Sequence, residues 1–595
     1  MLARVIKRSA RAVMVGEGPL RRRLCHATRP QPWCAASARD IAALIAVDDV
    51  RKPLDIPRGR AQRSVMEFDV HACYRAFRTR DARFDGQLFG GVTTSKIYCR
   101  PICPARMPKR ENMTFFATAA AAQEAGFHPC LRCRPETAPE LAAWRGTSNT
   151  VSRALALIDT GTLDDAGVKH LAARLGVGER QLRRLFRQHL GATPVSVAQT
   201  RRVLLAKQLI HETRLTMAEV ALASGFGSIR RFNEIFQRLF GRPPSSLRRV
   251  THANASSGPK GELIILLRYR PPYDWPAMVS FLGARAIPGV EAVSSDRYAR
   301  TIEIDGVHGV VAVEPASGNA LRIGIRFSRL SAVPTIIARL RRVFDLAADP
   351  QAINAQLSED LVLAPLVAAR PGLRVPGAWD GFELAVRAVL GQQITVAAAV
   401  GLAGKLVARF GLPLAGAGLE TEGLTHVFPR PEQLAWADLT ALGMPQMRAA
   451  SLASLAAAVV ADPQVLSAGR SLTECVAQLR ALPGIGEWTA QYIAMRELRE
   501  PDAFPAGDVG LLRAMTDVVG RTPTSRELLA MAERWRPWRA YAAQHLWASS
   551  MPADHGRRVE RVPRHTKSES STRVGQAQKR PAKRLERDHD HTVPP

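Results

Sequence analysis

The chain has 595 residues, of which 46% are hydrophobic, and it carries a formal charge of +30 at pH 7 with a pI near 10.9. This length predicts about three to five domains with ordinary globular cores. No apolar run is as long as the roughly 18 residues that a membrane span requires, which argues against a membrane protein. The charge favours a polyanionic partner, nucleic acid first, although solvated basic surfaces and tails would give the same total.

The two ends of the chain differ from the rest in composition. Residues 1–65 lack the apolar core of a signal peptide and begin Arg-rich, like an organelle transit peptide. We interpret them instead as a disordered extension from a misplaced start, because the first recognisable pattern begins at Met66. Residues 556–595, rich in Arg, Lys, Ser, His and Pro, predict a disordered basic tail. Attraction to phosphate and passive solvation are equal alternatives for that tail.

Four of the eight cysteines are grouped by spacing. Cys99-x3-Cys103 is followed after 26 residues by Cys130-x2-Cys133. This spacing is typical of one tetrahedral Zn²⁺ site with four thiolate ligands, and it is not a disulfide framework. A reducing compartment is therefore expected. Residues 66–140 are predicted to form a small zinc domain in which the metal supplies much of the folding free energy.

The residues around these cysteines carry a family resemblance. The matching segments are Phe84-Asp85-Gly86, Ile97-Tyr98-Cys99-Arg100-Pro101, Cys103-Pro104-Ala105-Arg106 and Gly126-Phe127-His128-Pro129-Cys130. They resemble the N-terminal domain of the adaptive-response protein Ada. The resemblance implies that Cys99 is both zinc ligand and the single-turnover acceptor of a methyl group from a DNA phosphotriester, and that Ser95 and Arg106 contact the phosphate. A zinc-bound thiolate stays deprotonated yet nucleophilic. A purely structural zinc anchor stays open, since Ser95 and Lys96 replace a Thr and a Gly of the family.

Residues 150–250 contain two helix-turn-helix patterns. The first helices cover Val168–Leu175 and Met217–Ser224, and the second helices begin at Glu179 and Ser228. The second helices carry Arg183 and Arg230 near their N-terminal ends, where side chains read base edges. With Ala221-x2-Ser224-Gly225-Phe226, the tandem resembles the AraC-type DNA-binding domain. That resemblance implies a promoter and RNA polymerase as partners. The alternative is a helical bundle with a solvated basic face.

Residues 251–260 read as a polar linker, and residues 261–375 as an α+β sheet domain. Strands are predicted at Glu262–Tyr269, Arg300–Asp305, Gly309–Glu314 and Ala320–Ile325, with helices at Trp275–Arg285 and Val333–Phe344. Pro271-Pro272-Tyr273-Asp274-Trp275 and Phe344-Asp345-Leu346 resemble the N-terminal domain of the 3-methyladenine glycosylase AlkA. The resemblance implies that Phe281 borders a base pocket, whereas an aromatic residue there is more often plain core.

Residues 376–555 show continuous helical periodicity and one turn of special composition. Leu482-Pro483-Gly484-Ile485-Gly486 predicts a tight hairpin between two helices, and Gly484 and Gly486 let the backbone approach a phosphate closely. Asp508 follows after a short loop. The pair resembles the helix-hairpin-helix glycosylase signature, in which the hairpin grips DNA, in some members with a monovalent cation, and the Asp assists base excision. An ordinary glycine turn is the alternative for the hairpin alone.

The resemblance to AlkA continues through this domain and assigns further roles. It implies that Gln393 is the wedge that fills the gap left by a flipped base, and that Trp488, Tyr492 and Trp547 line the pocket. Aromatic faces attract a cationic alkylated base. Some enzymes of this superfamily attack the sugar with a lysine of the hairpin helix and then nick the strand. The corresponding position here is Trp488, and no Lys occurs between Pro483 and Asp508, so the resemblance implies a monofunctional glycosylase that leaves an abasic site.

Together these patterns predict a multidomain α+β protein. Its parts are a small four-cysteine zinc domain, an all-α tandem helix-turn-helix domain, an antiparallel-sheet α+β domain and an all-α helix-hairpin-helix glycosylase domain. The expected function is excision of alkylated bases such as 3-methyladenine from double-stranded DNA, combined with a methylphosphotriester-sensing transcriptional regulator. The alternative is a transcription factor whose C-terminal half only binds DNA. Direct reversal of alkylguanine damage is not expected, because the chain has no Pro-Cys-His-Arg motif.

Overall fold

The computed structural model describes residues 69–139, 149–248, 261–416, 418–419, 421–466 and 471–550. The predicted extension (1–65), linker (251–260) and tail (556–595) lie outside the described residues. Inside them, no helix is both long enough and apolar enough to span a bilayer.

The zinc module is a four-stranded sheet with two helices. The sheet order is β3-β1-β2-β4, with β4 parallel to β2 and the other pairs antiparallel. Gly90 and Gly91 lie in β1 because a Cβ at either position would come within 2.7 Å of the buried Phe77 or Phe127 side chains. The elements are α1 (Val70–Arg78), β1 (Phe89–Val92), β2 (Ile97–Cys99), β3 (Met113–Phe116), α2 (Ala119–Glu124) and β4 (His128–Pro129).

The regulator module is entirely helical within its described residues. Both predicted helix-turn-helix units are confirmed, with boundaries within one residue of those expected. A capping box between Thr216 and Glu219 starts the first helix of the second unit. The helices are α3 (Asn149–Asp159), α4 (Thr162–Asp165), α5 (Val168–Arg174), α6 (Glu179–Leu190), α7 (Pro194–Glu212), α8 (Met217–Ala223) and α9 (Ile229–Phe240).

The sheet domain has five antiparallel strands in the order β5-β9-β8-β7-β6. All four predicted strands are present. The missed strand, β6, has only three residues, all half-buried, so it lacks the alternation that marks β5. The elements are β5 (Leu263–Arg268), α10 (Trp275–Gly283), β6 (Glu291–Val293), β7 (Tyr298–Ile304), β8 (Val307–Ala316), β9 (Ala320–Phe327), α11 (Val333–Val343), α12 (Pro350–Leu357) and α13 (Ala364–Ala369).

The last module is helical, as predicted, with one small ladder added. The amides of Thr425 and His426 donate to the Gly289 carbonyl at 2.8 and 3.0 Å, which fastens the β10–β11 ladder to the sheet domain. The elements are α14 (Gly381–Leu390), α15 (Val396–Phe410), β10 (Leu412–Pro413), β11 (His426–Val427), α16 (Pro431–Leu434), α17 (Gln446–Ala461), α18 (Leu472–Arg480), α19 (Glu487–Arg496), α20 (Val509–Val519), α21 (Ser525–Ala532) and α22 (Arg539–Ser550).

Two hydrophobic cores each join residues of neighbouring predicted domains. The exact domain boundaries remain a prediction. One core joins regulator residues such as Phe232 to sheet residues such as Ile265. The other joins Ile287 and Leu357 to the helical module, for example to Leu390. Because the sheet domain packs against the helices in this way, α10 and its Phe281 are positioned against the helical module.

Candidate metal centre and candidate active site

The four grouped cysteines converge on one point. Their Sγ atoms all lie within 4.8 Å of one another. A tetrahedral Zn²⁺ with Zn–S bonds of about 2.3 Å needs sulfurs about 3.8 Å apart, so the donor set fits this ion. Cys103, Cys130 and Cys133 are buried, whereas Cys99 is half-buried. Cys99 is therefore the ligand of the four that is most open to a reactant.

Backbone donors and two buried cations hold the cysteine loops in place. The amides of Arg100 and Arg132 donate to Cys133 Sγ and Cys130 Sγ, each at 3.4 Å. The Arg100 guanidinium also binds the Cys133 carbonyl at 3.0 Å and pairs with Asp85 at 2.6 Å. From the regulator helix α7, the fully buried Lys207 donates to the Cys130 carbonyl at 3.0 Å. These contacts hold the cysteine loops in place, and one of them comes from helix α7 of the helix-turn-helix module.

The other residues predicted to touch DNA in the front half are at the surface. Ser95 and Arg106 are exposed. Arg183 pairs with Glu179 at 2.6 Å and Arg230 with Glu234 at 2.8 Å, along the exposed faces of α6 and α9. Exposed pairs of this kind contribute little to stability, so both guanidiniums are available to a nucleic acid.

The predicted hairpin joins α18 to α19. Gly484 has a φ of +80°, and a Cβ at this position would lie 2.0 Å from Ser451 Oγ, so only glycine fits. Gly486 caps α19 without a side-chain hydrogen bond, which leaves the amides of the first helical turn available to an anion. Both glycines are exposed, while Ile485 between them is buried and anchors the turn.

Asp508 is held by three N–H donors. It caps α20 by accepting from the Leu511 amide at 3.1 Å. The indole Nε1 of Trp547 donates to Oδ1 at 2.8 Å, and that of Trp488 donates to Oδ2 at 2.9 Å. Three donors on two oxygens fix the orientation of the carboxylate. The two predicted pocket tryptophans therefore orient the predicted catalytic residue.

The four predicted pocket residues lie together. The Trp488 and Tyr492 rings stack with centroids 5.3 Å apart and an interplanar angle of 12°. The guanidinium carbon of Arg496 lies 5.1 Å from the Tyr492 centroid, 5.5 Å from that of Trp547 and 4.4 Å from that of Phe281. Arg496 was not among the residues predicted from the sequence. Its spacing of four residues from Tyr492, itself four residues from Trp488, places it on the same helix face and was the available signal.

The predicted wedge lies beside the hairpin. Gln393 is exposed, at a φ of +58°. Its neighbour Gln392 donates to the Gly484 carbonyl at 2.9 Å, and Arg448 of α17 donates to the Gln392 carbonyl at 2.6 Å. Met447, next to Arg448, is 82% exposed. The sequence analysis also missed this apolar side chain, because an isolated Met in a helical pattern predicts core.

Comparison with known families follows the same modular order. The metal-binding domain of Ada matches residues 72–136, a helix-turn-helix domain matches 171–250, and the AlkA N-terminal domain matches 264–380. The superfamily of helix-hairpin-helix base excision DNA repair proteins matches 386–540.

The chain is 42% identical over 489 residues to the probable bifunctional transcriptional activator/DNA repair enzyme AlkA of Mycobacterium tuberculosis, covering 81% of this chain and 97% of the relative. It belongs to this family. It therefore joins a regulator half to a DNA repair glycosylase half. It is also 38% identical over 285 residues to DNA-3-methyladenine glycosylase 2 of Escherichia coli, covering 47% of this chain and 95% of that protein. A 3-methyladenine DNA-glycosylase structure from Archaeoglobus fulgidus matches 48% of this chain and 98% of its own, at 22% identity and a TM-score of 0.43.

Proposed function

We propose that the C-terminal half hydrolyses the bond between an alkylated base, such as 3-methyladenine, and its deoxyribose in double-stranded DNA. The observation that carries this proposal is the pair of indole N–H groups on Asp508, from Trp488 and Trp547. A carboxylate held in one orientation among stacked aromatic rings suits a reaction in which positive charge develops on a sugar beside a flipped base.

DNA binding comes first in the proposed mechanism. The uncapped amides at Gly486 bind a backbone phosphate. Main-chain carbonyls of the hairpin would hold a monovalent cation, which would add positive charge to that contact. Gln393 enters the duplex where the base has left, and the exposed Met447, whose neighbour Arg448 donates to the Gln392 carbonyl, supplies an apolar contact that a glutamine lacks. The flipped cationic base then meets the aromatic faces of Trp488, Tyr492 and Phe281.

Asp508 then acts on the sugar side of the bond. Its carboxylate stabilises the oxocarbenium-like sugar and orients a water molecule whose oxygen attacks C1′. Because no Lys lies between Pro483 and Asp508, the reaction stops at an abasic site without cutting the strand.

We further propose that the N-terminal half senses methylated DNA through Cys99. Its Sγ attacks the methyl carbon of a phosphotriester held by Ser95 and Arg106. The methyl–oxygen bond breaks, and the electron pair stays on the phosphate oxygen. Zn²⁺, when bound by the four cysteines, keeps the Cys99 sulfur deprotonated. Loss of the thiolate charge weakens repulsion from DNA, so the helix-turn-helix units, with Arg183 and Arg230, bind a promoter more tightly and recruit RNA polymerase. The reduced thiols suit the bacterial cytoplasm.

The decisive experiment measures base release from alkylated duplex DNA by the parent and by Asp508→Asn. Asn also caps helices well, so the variant removes the charge and keeps α20. The exposed Asp462→Asn is the matched control. We expect release by the parent and the control, and loss in Asp508→Asn with DNA binding retained. Release by none of them would favour a regulator whose C-terminal half only binds DNA.

The sensor has its own test. The protein is exposed to DNA with methylphosphotriesters and digested, and the cysteine peptides are weighed. We expect one added methyl group on the Cys99 peptide and none on those of Cys103, Cys130 and Cys133. An unmodified Cys99 peptide would reduce the module to a structural zinc anchor.

A further inference from the structure

One face of α19 carries a column of three side chains. Trp488, Tyr492 and Arg496 are spaced four residues apart, so they lie above one another along the helix. Trp488 contacts Asp508 at the start of the helix, and Arg496 is its last residue, about 12 Å further along at 1.5 Å per residue. Trp547 spans both ends, because its Nε1 donates to Asp508 and its ring lies 5.5 Å from the Arg496 guanidinium.

Arg496 is a buried cation with no carboxylate partner among the described residues. Its residue exposure is 2%. Its Nη1 donates to the Pro376 carbonyl at 2.8 Å, its Nη2 to Gln544 Oε1 at 3.3 Å, and its Nε has no hydrogen-bond partner. In the part of the chain that the structure describes, no carboxylate forms a salt bridge with it. By contrast, the buried Arg300 and the half-buried Arg387 both pair with Glu383.

The charge of Arg496 persists at neutral pH. Burial lowers the pKa of its guanidinium to about 10. At pH 7 more than about 99% of the molecules therefore keep the proton. Burial by itself would raise the pKa of the Tyr492 phenol, but the positive charges of Arg496 and Arg285 outweigh it and lower that pKa. A buried guanidinium that is neutralised by no carboxylate of the described residues is costly, which argues against a purely structural role.

The two ends of the pocket consequently carry opposite charges. A carboxylate stands at the Trp488 end and a guanidinium at the other, with the aromatic rings between them. Arg285 adds a second cation, 3.9 Å from the Phe281 centroid. For a cationic base this inner end is unfavourable, and the ring faces and the Asp508 carboxylate offset it.

The polarity matches the charge that a neutral base develops as it leaves. When the C1′–N bond breaks, its electron pair goes to the base nitrogen, while a water oxygen forms the new bond to C1′ and its proton passes to Asp508. A cationic alkylated base leaves neutral, but a neutral base leaves as an anion until it takes that proton. Fixed positive charge near the anion lowers the barrier.

We propose that Arg496 is a specificity-determining residue of the base pocket that extends excision to neutral damaged bases by stabilising the negative charge they carry on leaving. The inference rests on the proposed glycosylase function and deepens it. It divides the substrates into a cationic class, for which Asp508 and the rings suffice, and a neutral class, which also needs Arg496.

The test compares two duplexes of identical sequence, one with a single 7-methylguanine, which is cationic, and one with a single hypoxanthine, which is neutral. Arg496→Met keeps the length of the side chain and removes its charge. We expect hypoxanthine release to fall about 100-fold, the size of losing one strong electrostatic stabiliser, and 7-methylguanine release to stay within about 3-fold or to rise. Arg297→Met, at an exposed site on the sheet domain, controls for the lost net charge.

Arg496→Lys supplies a second readout that a structural role does not produce. Burial lowers the pKa of a lysine far more readily than that of an arginine. Hypoxanthine release by this variant is expected to fall as pH rises through a midpoint that the parent lacks, while 7-methylguanine release shows no such midpoint. This variant also serves if Arg496→Met does not fold.

Three outcomes would overturn the inference. An equal fall for both bases in a folded Arg496→Met would make the residue structural. Release of 7-methylguanine but not hypoxanthine by the parent would refute the neutral class and leave the glycosylase function standing. Release of neither base by the parent would refute the glycosylase function itself.

Discussion

The four-cysteine site and the Asp508 pocket both concentrate negative charge, and they compensate it in different ways. At Asp508 the chain supplies every partner, namely two indole N–H groups and one amide. At the cysteines the chain supplies amides to two sulfurs at 3.4 Å, and the Lys207 and Arg100 cations bind carbonyls of the loops. Four thiolates within 4.8 Å repel one another unless a cation joins them.

The difference separates a preformed site from one that needs its metal. The Asp508 pocket lies on helices with a shared hydrophobic core, so its geometry comes from packing. The zinc module has a small core of its own, so its geometry comes from metal coordination. The zinc module and the Asp508 pocket should therefore lose their activities under different conditions.

Removal of zinc should have the largest effect. Structural zinc contributes binding free energy on the order of 10 kcal/mol. A strong chelator is expected to abolish methyl uptake at Cys99 and to leave base release within about 2-fold of the parent. Zinc content is measured beside both activities, and Cys103→Ser should reproduce the pattern. If base release fell in step with zinc content, the two ends would not be independent.

Disrupting the buried Lys207–Glu136 ion pair should destabilise the zinc module less than removing the metal. The pair is 2.7 Å long, and both side chains are inaccessible to solvent. Burial lowers the pKa of Lys207, and Glu136 opposes that effect. Lys207→Met leaves Glu136 buried without its lysine and should destabilise the module by about 3 kcal/mol. Competition with a chelator and urea unfolding measure the loss. Adding Glu136→Gln should recover part of it, and an unchanged zinc affinity in the single variant would count against the argument.

Acid should lower the folding stability of the helical C-terminal module through His545. Burial, with the charge of Arg370, lowers the pKa of His545 to about 4. The unfolded histidine, with a pKa near 6.5, binds more protons, so stability is complete above about pH 6.5 and falls as the pH drops toward 4. The loss at pH 5 is about 2 kcal/mol. The thermal midpoint of base-release activity is measured from pH 5 to 8. His545→Gln should flatten this profile, whereas the exposed His170→Gln should not.

The smallest effect should come from loosening Asp508. Trp488→Phe removes one N–H from the carboxylate and keeps an aromatic ring. Asp508 keeps its other two donors, so we expect the lower end of the range for hydrogen bonds to charged groups, about 1.5 kcal/mol, and a fall in kcat for base release of about 10-fold. Trp547→Phe should do the same, and the exposed Trp436→Phe should have no effect. Unchanged kcat in both pocket variants would show that packing alone orients Asp508.

Short-range patterns allowed most of the architecture to be predicted. The helix-turn-helix units, the four longer strands and the hairpin follow from periodicity and turn residues within windows of about ten residues. β6 was missed because three half-buried residues carry no period. The cores shared between regulator and sheet, and between sheet and helices, were beyond reach because they join residues far apart in the chain.

The sequence by itself determined which groups are proposed to carry the chemistry. The cysteine spacing predicted the ligand set, and the hairpin with its following Asp508 predicted the excision centre, because both patterns depend on residues close in the chain. Only the tertiary structure decided the surroundings of those groups. Glu136 and Lys207 are 71 positions apart and form one buried pair. Arg496 and Phe281 come from different domains and meet in one pocket. Side chains that carry charge into a core depend on what packs around them, and that is settled when the chain folds.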